Sequence, residues 1–541
     1  AGGGPLPSEE WRWLSSALPV FVRRPAPRAE PGSAAAPHPA CGTTRPSWAS
    51  STPGGSVAAT SAWRMPHGAC RTASRRDFAG ITCARRLFLI ETISMRRDFE
   101  SELTAWQSSP ARKPLVVKGA RQTGKTFALK HFGAKAYSAV HVLNFEADPR
   151  LASVFEGELS AKRLLRDLAL LAGFSPADAE TGRSLLFFDE IQACPRAVSS
   201  LKYFAEQLPT AHIAAAGSLL GVELSRAASF PVGKVQLHTL HPLTFFEFLE
   251  ATGREAFRGR LENLASIAPL SIAIHDELLK ALREYLVVGG MPEAVAAFAA
   301  SRDYGKVRQI QDNIVAAYRL DFAKHATARL VPRLAMLWDS VPVQLARENR
   351  RFLFSNVTQG GRARDYEEGL LWLEQAGLVH RSFAVAAPKL PLAASCNRKL
   401  FKLFSFDVGL LGAVAGLSPA IVLDGHAVFE EFKGAIAEQY VAQQLTAMSS
   451  AATPPLLTYW RNEKTGTEVD FLLEADGVIP LEVKSGVNAR SKSLASYRTQ
   501  FSPSKALRTS LLNLKADADT VNLPLYLMPG LHRVLRLAKA F

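Results

Sequence analysis

The sequence predicts an α/β protein: a parallel sheet with helices on both faces, followed by a helical region and a second, smaller α/β part. Three observations predict it. From Met95 to about residue 255, apolar runs of strand length alternate with segments of helical period, and such alternation is joined by crossovers that cover both faces of a parallel sheet. The runs end in residues suited to a ligand site at strand C-termini, namely Gly119, the pair Asp189-Glu190, and Ser218. A glycine-rich turn stands between the first run and the helix after it.

That turn lies in PLVVKGARQTGKT, residues 114–126. Leu115, Val116 and Val117 suit a buried strand. Gly119, Gly124, Lys125 and Thr126 fit G-x-x-x-x-G-K-[ST], with Ala120, Arg121, Gln122 and Thr123 between them. The glycines let the backbone curl until successive N–H groups point at one anion. Lys125 neutralises β/γ-phosphates, Thr126 ligates Mg²⁺, and the following helix adds its positive dipole end. The implied ligands are ATP and Mg²⁺.

The next elements follow in order. AVHVLNFE is a second strand, ending near Glu146. ELSAKRLLRDLALLAG is a helix with Leu164, Leu168 and Leu171 on one face and Gly173 as its stop. SLLFFDE is a third strand, after which Asp189 holds the Mg²⁺ shell and Glu190 polarises the attacking water. Lys125 and Glu190 are thus the expected catalytic residues. Pro195 opens a helix with Val198, Leu201, Ala205 and Leu208 on one face. HIAAAGS is a buried strand ending at Ser218, which either contacts the γ-phosphate or caps a helix. VQLHTL is a fifth strand before the helix in PLTFFEFLE.

At 541 residues the chain is too long for one core. The formal charge of +15 favours an anionic partner such as nucleic acid. Five cysteines without metal-ligand spacing argue for a reducing compartment, the cytoplasm. The longest uncharged run near residues 408–423 is short and broken by Pro419, so no membrane span is expected. Residues 1–94 contain no Lys, Asn, Gln or Tyr and are rich in Ala, Pro, Arg, Ser and Gly. They read as disordered, and Met95, which opens the first periodic helix, reads as the natural start.

Beyond the first sheet the expected divisions are 95–255 for the nucleotide domain, 256–345 for a helical lid or linker, 346–400 for a winged-helix-like segment, and 401–541 for the last domain. REYLVVGGMPEAVAAF carries a Gly-Gly-x-Pro break within the helices. In DYEEGLLWLEQAGLVHRSF, Tyr366, Leu370 and Leu373 share a face, Gly377 is a stop and a strand follows. Winged helices touch DNA in some proteins and other proteins elsewhere, so both partner classes stay open.

The last domain holds a second group of charged residues, in EVDFLLEADGVIPLEVKSG. A three-residue loop 475–477 with Gly477 in the left-handed region sets Phe471 opposite Leu481 and Leu473 opposite Ile479. That register puts Asp470 opposite Glu482, with Lys484 next along the same face. Two carboxylates can hold a second Mg²⁺, and a lysine can orient water or stabilise developing phosphorane charge.

GARQTGKT, LLFFDE, AAAGSLLG, FPVGKV and HPLTFFEFLE resemble the bacterial and archaeal AAA-type P-loop ATPases that carry a C-terminal domain similar to PD-(D/E)XK nucleases. YLVVGGMPEAV resembles their linker. The resemblance covers roughly residues 95–500. It implies a P-loop NTPase sheet with the Ser218 strand between the two nucleotide-binding strands. It also implies a basic residue after Gly233, here Lys234, that acts on a neighbour's nucleotide in a homo-oligomer, with Arg226 as another candidate. Asp470, Glu482 and Lys484 stand in the nuclease positions, Glu438 matches an extra acid that some of these enzymes use, and Val469 replaces the motif's Pro. Many relatives of such folds bind nucleic acid without cutting it.

Overall fold

Alternating burial builds the first sheet. β1 (Leu115–Lys118), β2 (Ala139–Asn144), β3 (Ser184–Asp189), β4 (His212–Ala216) and β5 (Gln236–Thr239) are all parallel, in the order β2-β3-β4-β1-β5. β3 is buried along its whole length. Its successive side chains point to opposite faces. Leu186 and Phe188 pack with the helices Ala161–Ala172 and Pro195–Gln207 through Leu164, Leu168, Leu201 and Phe204. Leu185 and Phe187 pack on the other side with Phe99–Ser108 and Lys125–Ala136, through Leu103, Trp106, Leu129 and Phe132. The sheet therefore has helices on both faces, as expected, and β4 separates β1 from β3. This computed structural model describes residues 95–538, apart from 219–221, 223–229, 348–349, 425–429, 450–454, 487–490 and 518–519. Residues 1–94, expected to be disordered, and Arg226 lie outside the described residues.

One helical face differs from its expectation. In Ala161–Ala172 the buried stripe is Ala161, Leu164, Leu165 and Leu168, whereas Leu171 is 45% exposed. The stripe continues to Ala169, and the side of the last turn that carries Leu170 and Leu171 faces outward.

The helical region follows Phe245–Ala251, whose start is a capping box: Thr244 accepts from Glu247 N–H and the Glu247 carboxylate accepts from Thr244 N–H. Glu255–Glu262, Ile272–Val288, Pro292–Ser301, Tyr304–His325 and Val331–Leu345 are the helices expected between 256 and 345. The chain breaks at Gly289-Gly290, and Asp407 holds the break. Its buried carboxylate accepts from Gly290 N–H at 2.7 Å, Leu410 N–H at 3.0 Å and the Gln443 amide at 3.1 Å. Asp407→Ala strands these donors, so we expect a loss of about 2–4 kcal/mol in urea unfolding. Asp407→Asn keeps one accepting oxygen and is expected to lose less.

The remaining chain builds two further sheets among the described residues. Ala363–Gln375 ends before Gly377, and β6 (Val379–Val385) pairs antiparallel with β7 (Cys396–Ser405). β6 also pairs parallel with β8 (Leu457–Arg461), which meets β9 (Glu468–Val469), in the order β7-β6-β8-β9. The expected division at 400/401 thus falls inside β7. The last sheet comprises β10 (Phe471–Ala475), β11 (Gly477–Val483), β12 (Ala506–Ser510), β13 (Lys515–Asp517) and β14 (Thr520–Pro524), in the order β10-β11-β12-β14-β13.

The β10–β11 register sets Phe471 opposite Leu481 and Leu473 opposite Ile479, as the apolar pattern requires. Pairing continues to Ala475 opposite Gly477, which leaves a tighter turn than the expected three-residue loop. At the other end the ladder stops at Phe471, and Asp470 lies in a bend just before it. A shared core joins these parts. Tyr285 accepts from the Gln443 and Gln444 amides, and Tyr440, on Glu430–Ala447, donates to Leu525 O.

Candidate nucleotide site and a C-terminal charge cluster

The turn after β1 has the backbone its sequence demands. Gly119 has φ +145°, and a Cβ there would sit 2.3 Å from Leu240 O, which no side chain tolerates. Gly124 has φ +91° and opens the helix Lys125–Ala136. Gln122, a non-glycine, also has positive φ, a conformation that costs energy unless its surroundings hold it. Arg97 does part of that holding. It is buried, donates to Thr123 O at 3.1 Å and His241 O at 2.7 Å, and pairs with Glu247 at 2.9 Å.

Lys125 is 7% exposed and donates from Nζ to Gly119 O at 3.0 Å and Ala120 O at 2.7 Å. Burial lowers its ammonium to about 8, against the opposing pull of Glu190. Thr126 Oγ1 donates to Asp189 Oδ1 at 2.9 Å. Asn144, in register with Asp189 on the neighbouring strand, donates to the other oxygen at 3.2 Å. Burial raises the Asp189 carboxyl, and these two groups hold it in place. Glu190 sits just past β3 at φ 49°. Its Oε2 accepts from Ser218 Oγ at 3.3 Å and from the Gln192 amide at 2.5 Å. The structure thus brings together Gly119, Gly124, Lys125, Thr126, Asp189, Glu190 and Ser218.

Arg121, expected from the sequence as one of the nucleotide-binding loop residues 119–126, is also the bridge outward. Its Nε donates to Ser218 Oγ at 3.1 Å, and its guanidinium pairs with Asp321 at 2.9 Å. Tyr318 OH donates to Arg121 O at 2.6 Å, and Lys324 pairs with Glu146 at 2.7 Å. Helix Tyr304–His325 therefore lies against the nucleotide loop. Lys234 pairs with Glu206 of the same chain at 2.9 Å, both half exposed.

The C-terminal residues also converge, on a group the sequence reading missed. Lys402 on β7 is 2% exposed, and its Nζ lies 3.3 Å from Glu438, 3.5 Å from Glu468 and 3.7 Å from Asp470. Arg350 also pairs with Glu438, and Arg461 with Glu468. Glu482 accepts from Lys484 at 2.7 Å and from Ser493 at 3.0 Å. Its second oxygen is buried without a hydrogen-bond partner, and burial, reinforced by nearby Asp470, raises its carboxyl. Asp470 Oδ2 accepts from Val483 N–H at 2.8 Å. Among the described residues no group of three or more His, Cys, Asp or Glu is arranged to hold a metal ion.

Asn144 was within reach of the sequence, because two parallel strands ending together put it beside Asp189. Arg97, Lys402 and the link from Arg121 to Ser218 and Asp321 were not, since the partners come from distant segments. No described helix is long and apolar enough to cross a membrane.

Comparisons with known proteins bear on the first domain. Residues 111–249 match the AAA domain. Residues 279–420 and 433–526 match two domains of unknown function, DUF8612 and DUF4143. No curated protein matches. Solved structures with similarity include the Walker-type ATPase PABY2304 of Pyrococcus abyssi, at 13% identity and TM-score 0.40, covering 60% of this chain and 99% of that one. The Aeropyrum pernix ORC1 protein, solved in complex with DNA, is 14% identical with TM-score 0.26, covering 61% and 96%. C. elegans PCH-2 is 16% identical with TM-score 0.24, covering 41% and 68%. The parallel sheet, the loop on it and the matched segment together identify residues 111–249 as an AAA-type P-loop ATPase-like domain.

Proposed function

We propose that this chain binds and hydrolyses ATP with Mg²⁺ at residues 119–126, and that the nucleotide state governs a nuclease-like C-terminal domain that engages DNA. The observation that carries the reading is the Thr126–Asp189 hydrogen bond at 2.9 Å beside a buried Lys125. It unites a hydroxyl, a carboxylate and an ammonium at the mouth of a helix N-terminus, the set a magnesium triphosphate needs.

The donor set fits the ion. Thr126 and Asp189 are hard oxygen ligands, and a bound Mg²⁺ would neutralise charge on the β- and γ-phosphates. The chain's own residues supply the rest. Lys125 exchanges its two loop carbonyls for phosphate oxygens, and the loop amides cradle the same anion. Arg97 keeps that loop in shape through Thr123 O. Glu190 takes the proton of the attacking water, and Ser218 fixes the carboxylate that does so.

Support for coupling comes from helix Tyr304–His325. At one end it touches Arg121, and further along Gln311 donates to Val287 O and Val288 O and Arg308 to Leu417 O. A change at Ser218 or Glu190 can therefore reach the Asp407 junction through a rigid element. For the C-terminal domain, the order helix Glu430–Ala447, β8, β9, hairpin β10–β11, helix Lys492–Phe501, β12 supports the nuclease-like reading.

The test is phosphate release by the purified chain, with and without single- and double-stranded DNA. We expect Mg²⁺-dependent turnover, and DNA affinity that falls steeply with salt. DNA binding absent at low salt, with turnover intact, points instead to an ATP-gated platform for a protein partner.

A further inference from the structure

We propose that Lys402 is the resident cation of the C-terminal acidic cluster, an ammonium standing where a metal-dependent nuclease of this design would hold a divalent ion. The inference concerns a site separate from the ATP site and does not depend on the ATPase reading. A lysine that is 2% exposed cannot keep its charge without compensation. Here Glu438, on helix Glu430–Ala447, and Glu468 and Asp470, on β9 and the bend after it, surround Nζ at 3.3–3.7 Å. The Tyr459 ring, 5.0 Å away, adds a favourable face.

The carboxylates are already matched with cations. Glu438 and Glu468 each pair with Lys402 and with an arginine, Arg350 and Arg461 respectively, Asp470 pairs with Lys402, and Glu482 with Lys484. A divalent ion entering between Asp470 and Glu438 would have to face a buried ammonium that is 2% exposed. Like charges a few ångströms apart at low dielectric repel strongly. An Mg²⁺ site drawing on Glu438 and Asp470 therefore does not fit a metal, and the other expected carboxylate, Glu482, is already held by Lys484 and Ser493. The cluster instead ties β7, β9, the 470 bend and helix Glu430–Ala447 together, and the domain acts by binding rather than by metal-assisted cleavage.

The test is Mn²⁺ titration by electron paramagnetic resonance on the full chain without nucleotide, in an Asp189→Asn background that removes the carboxylate of the ATP site. We expect no saturable Mn²⁺ site in this parent. Lys402→Met, of similar length and uncharged, should open one, at least about tenfold tighter than any binding by the parent, and Asp470→Asn should close it again. A folded Lys402→Met protein that takes up no Mn²⁺ overturns the proposal. So does saturable Mn²⁺ binding by the parent that Asp470→Asn abolishes, a result that needs no Lys402 variant to fold. Mn²⁺-dependent DNA cleavage by the parent, lost in Glu482→Ala, overturns it as well.

Discussion

Replacing Lys125 by Ala is expected to abolish ATP turnover and weaken nucleotide binding by about 10²–10³-fold. The ammonium is a buried charge under the loop, held by two loop carbonyls. Its removal leaves the amide cradle but takes away the counter-charge. The same geometry predicts a pH dependence. Burial lowers the Lys125 ammonium to about 8 in the free protein, below its ordinary 10.5. While charged, below pH 8, this group opposes folding, and the opposition is relieved as pH rises from about 8 towards 10.5. Binding runs the other way. A polyanion needs the charged form, so affinity falls by up to about tenfold per pH unit above 8 and binding takes up close to one proton. Calorimetry at pH 9 in two buffers of different ionisation enthalpy measures that proton. Lys125→Ala should take up none, and an affinity that stays flat between pH 7.5 and 9.5 would count against the assignment.

Glu190→Gln is expected to separate binding from hydrolysis. Gln keeps a carbonyl oxygen where Ser218 and Gln192 now donate, so the local structure should persist. It cannot accept the water's proton, so kcat should fall by about 10²–10⁴-fold with ATP binding retained. Single-turnover phosphate release beside a binding titration checks both halves. A variant with near-normal kcat would move the general base elsewhere; Asp189, tied to Thr126 and Asn144, is the less available carboxylate.

Much of the first domain was legible because its signals are local. The turn at Gly119 and Gly124 is a statement about backbone freedom, and the run 185–188 about a strand buried on both faces. Neither needs knowledge of a distant residue. The hairpin register was legible too, since a slip of one residue would turn Phe471 and Leu481 away from the core. Where the signal was only a stripe, as at Leu171, burial depended on what the fold laid over it.

The sequence by itself determined the phosphate loop, the acidic pair after β3, the serine after β4 and the pairing of β10 with β11, because glycine conformation and side-chain alternation act within a few residues. Only the tertiary structure decided what surrounds them. Arg97 braces the loop through Glu247, 150 residues away, Arg121 joins Ser218 to Asp321, and Lys402 enters a carboxylate cluster assembled from separate segments. The physical reason is that a buried charge is stable only beside its partner, and the tertiary fold, not the local spelling, selects which partner that is.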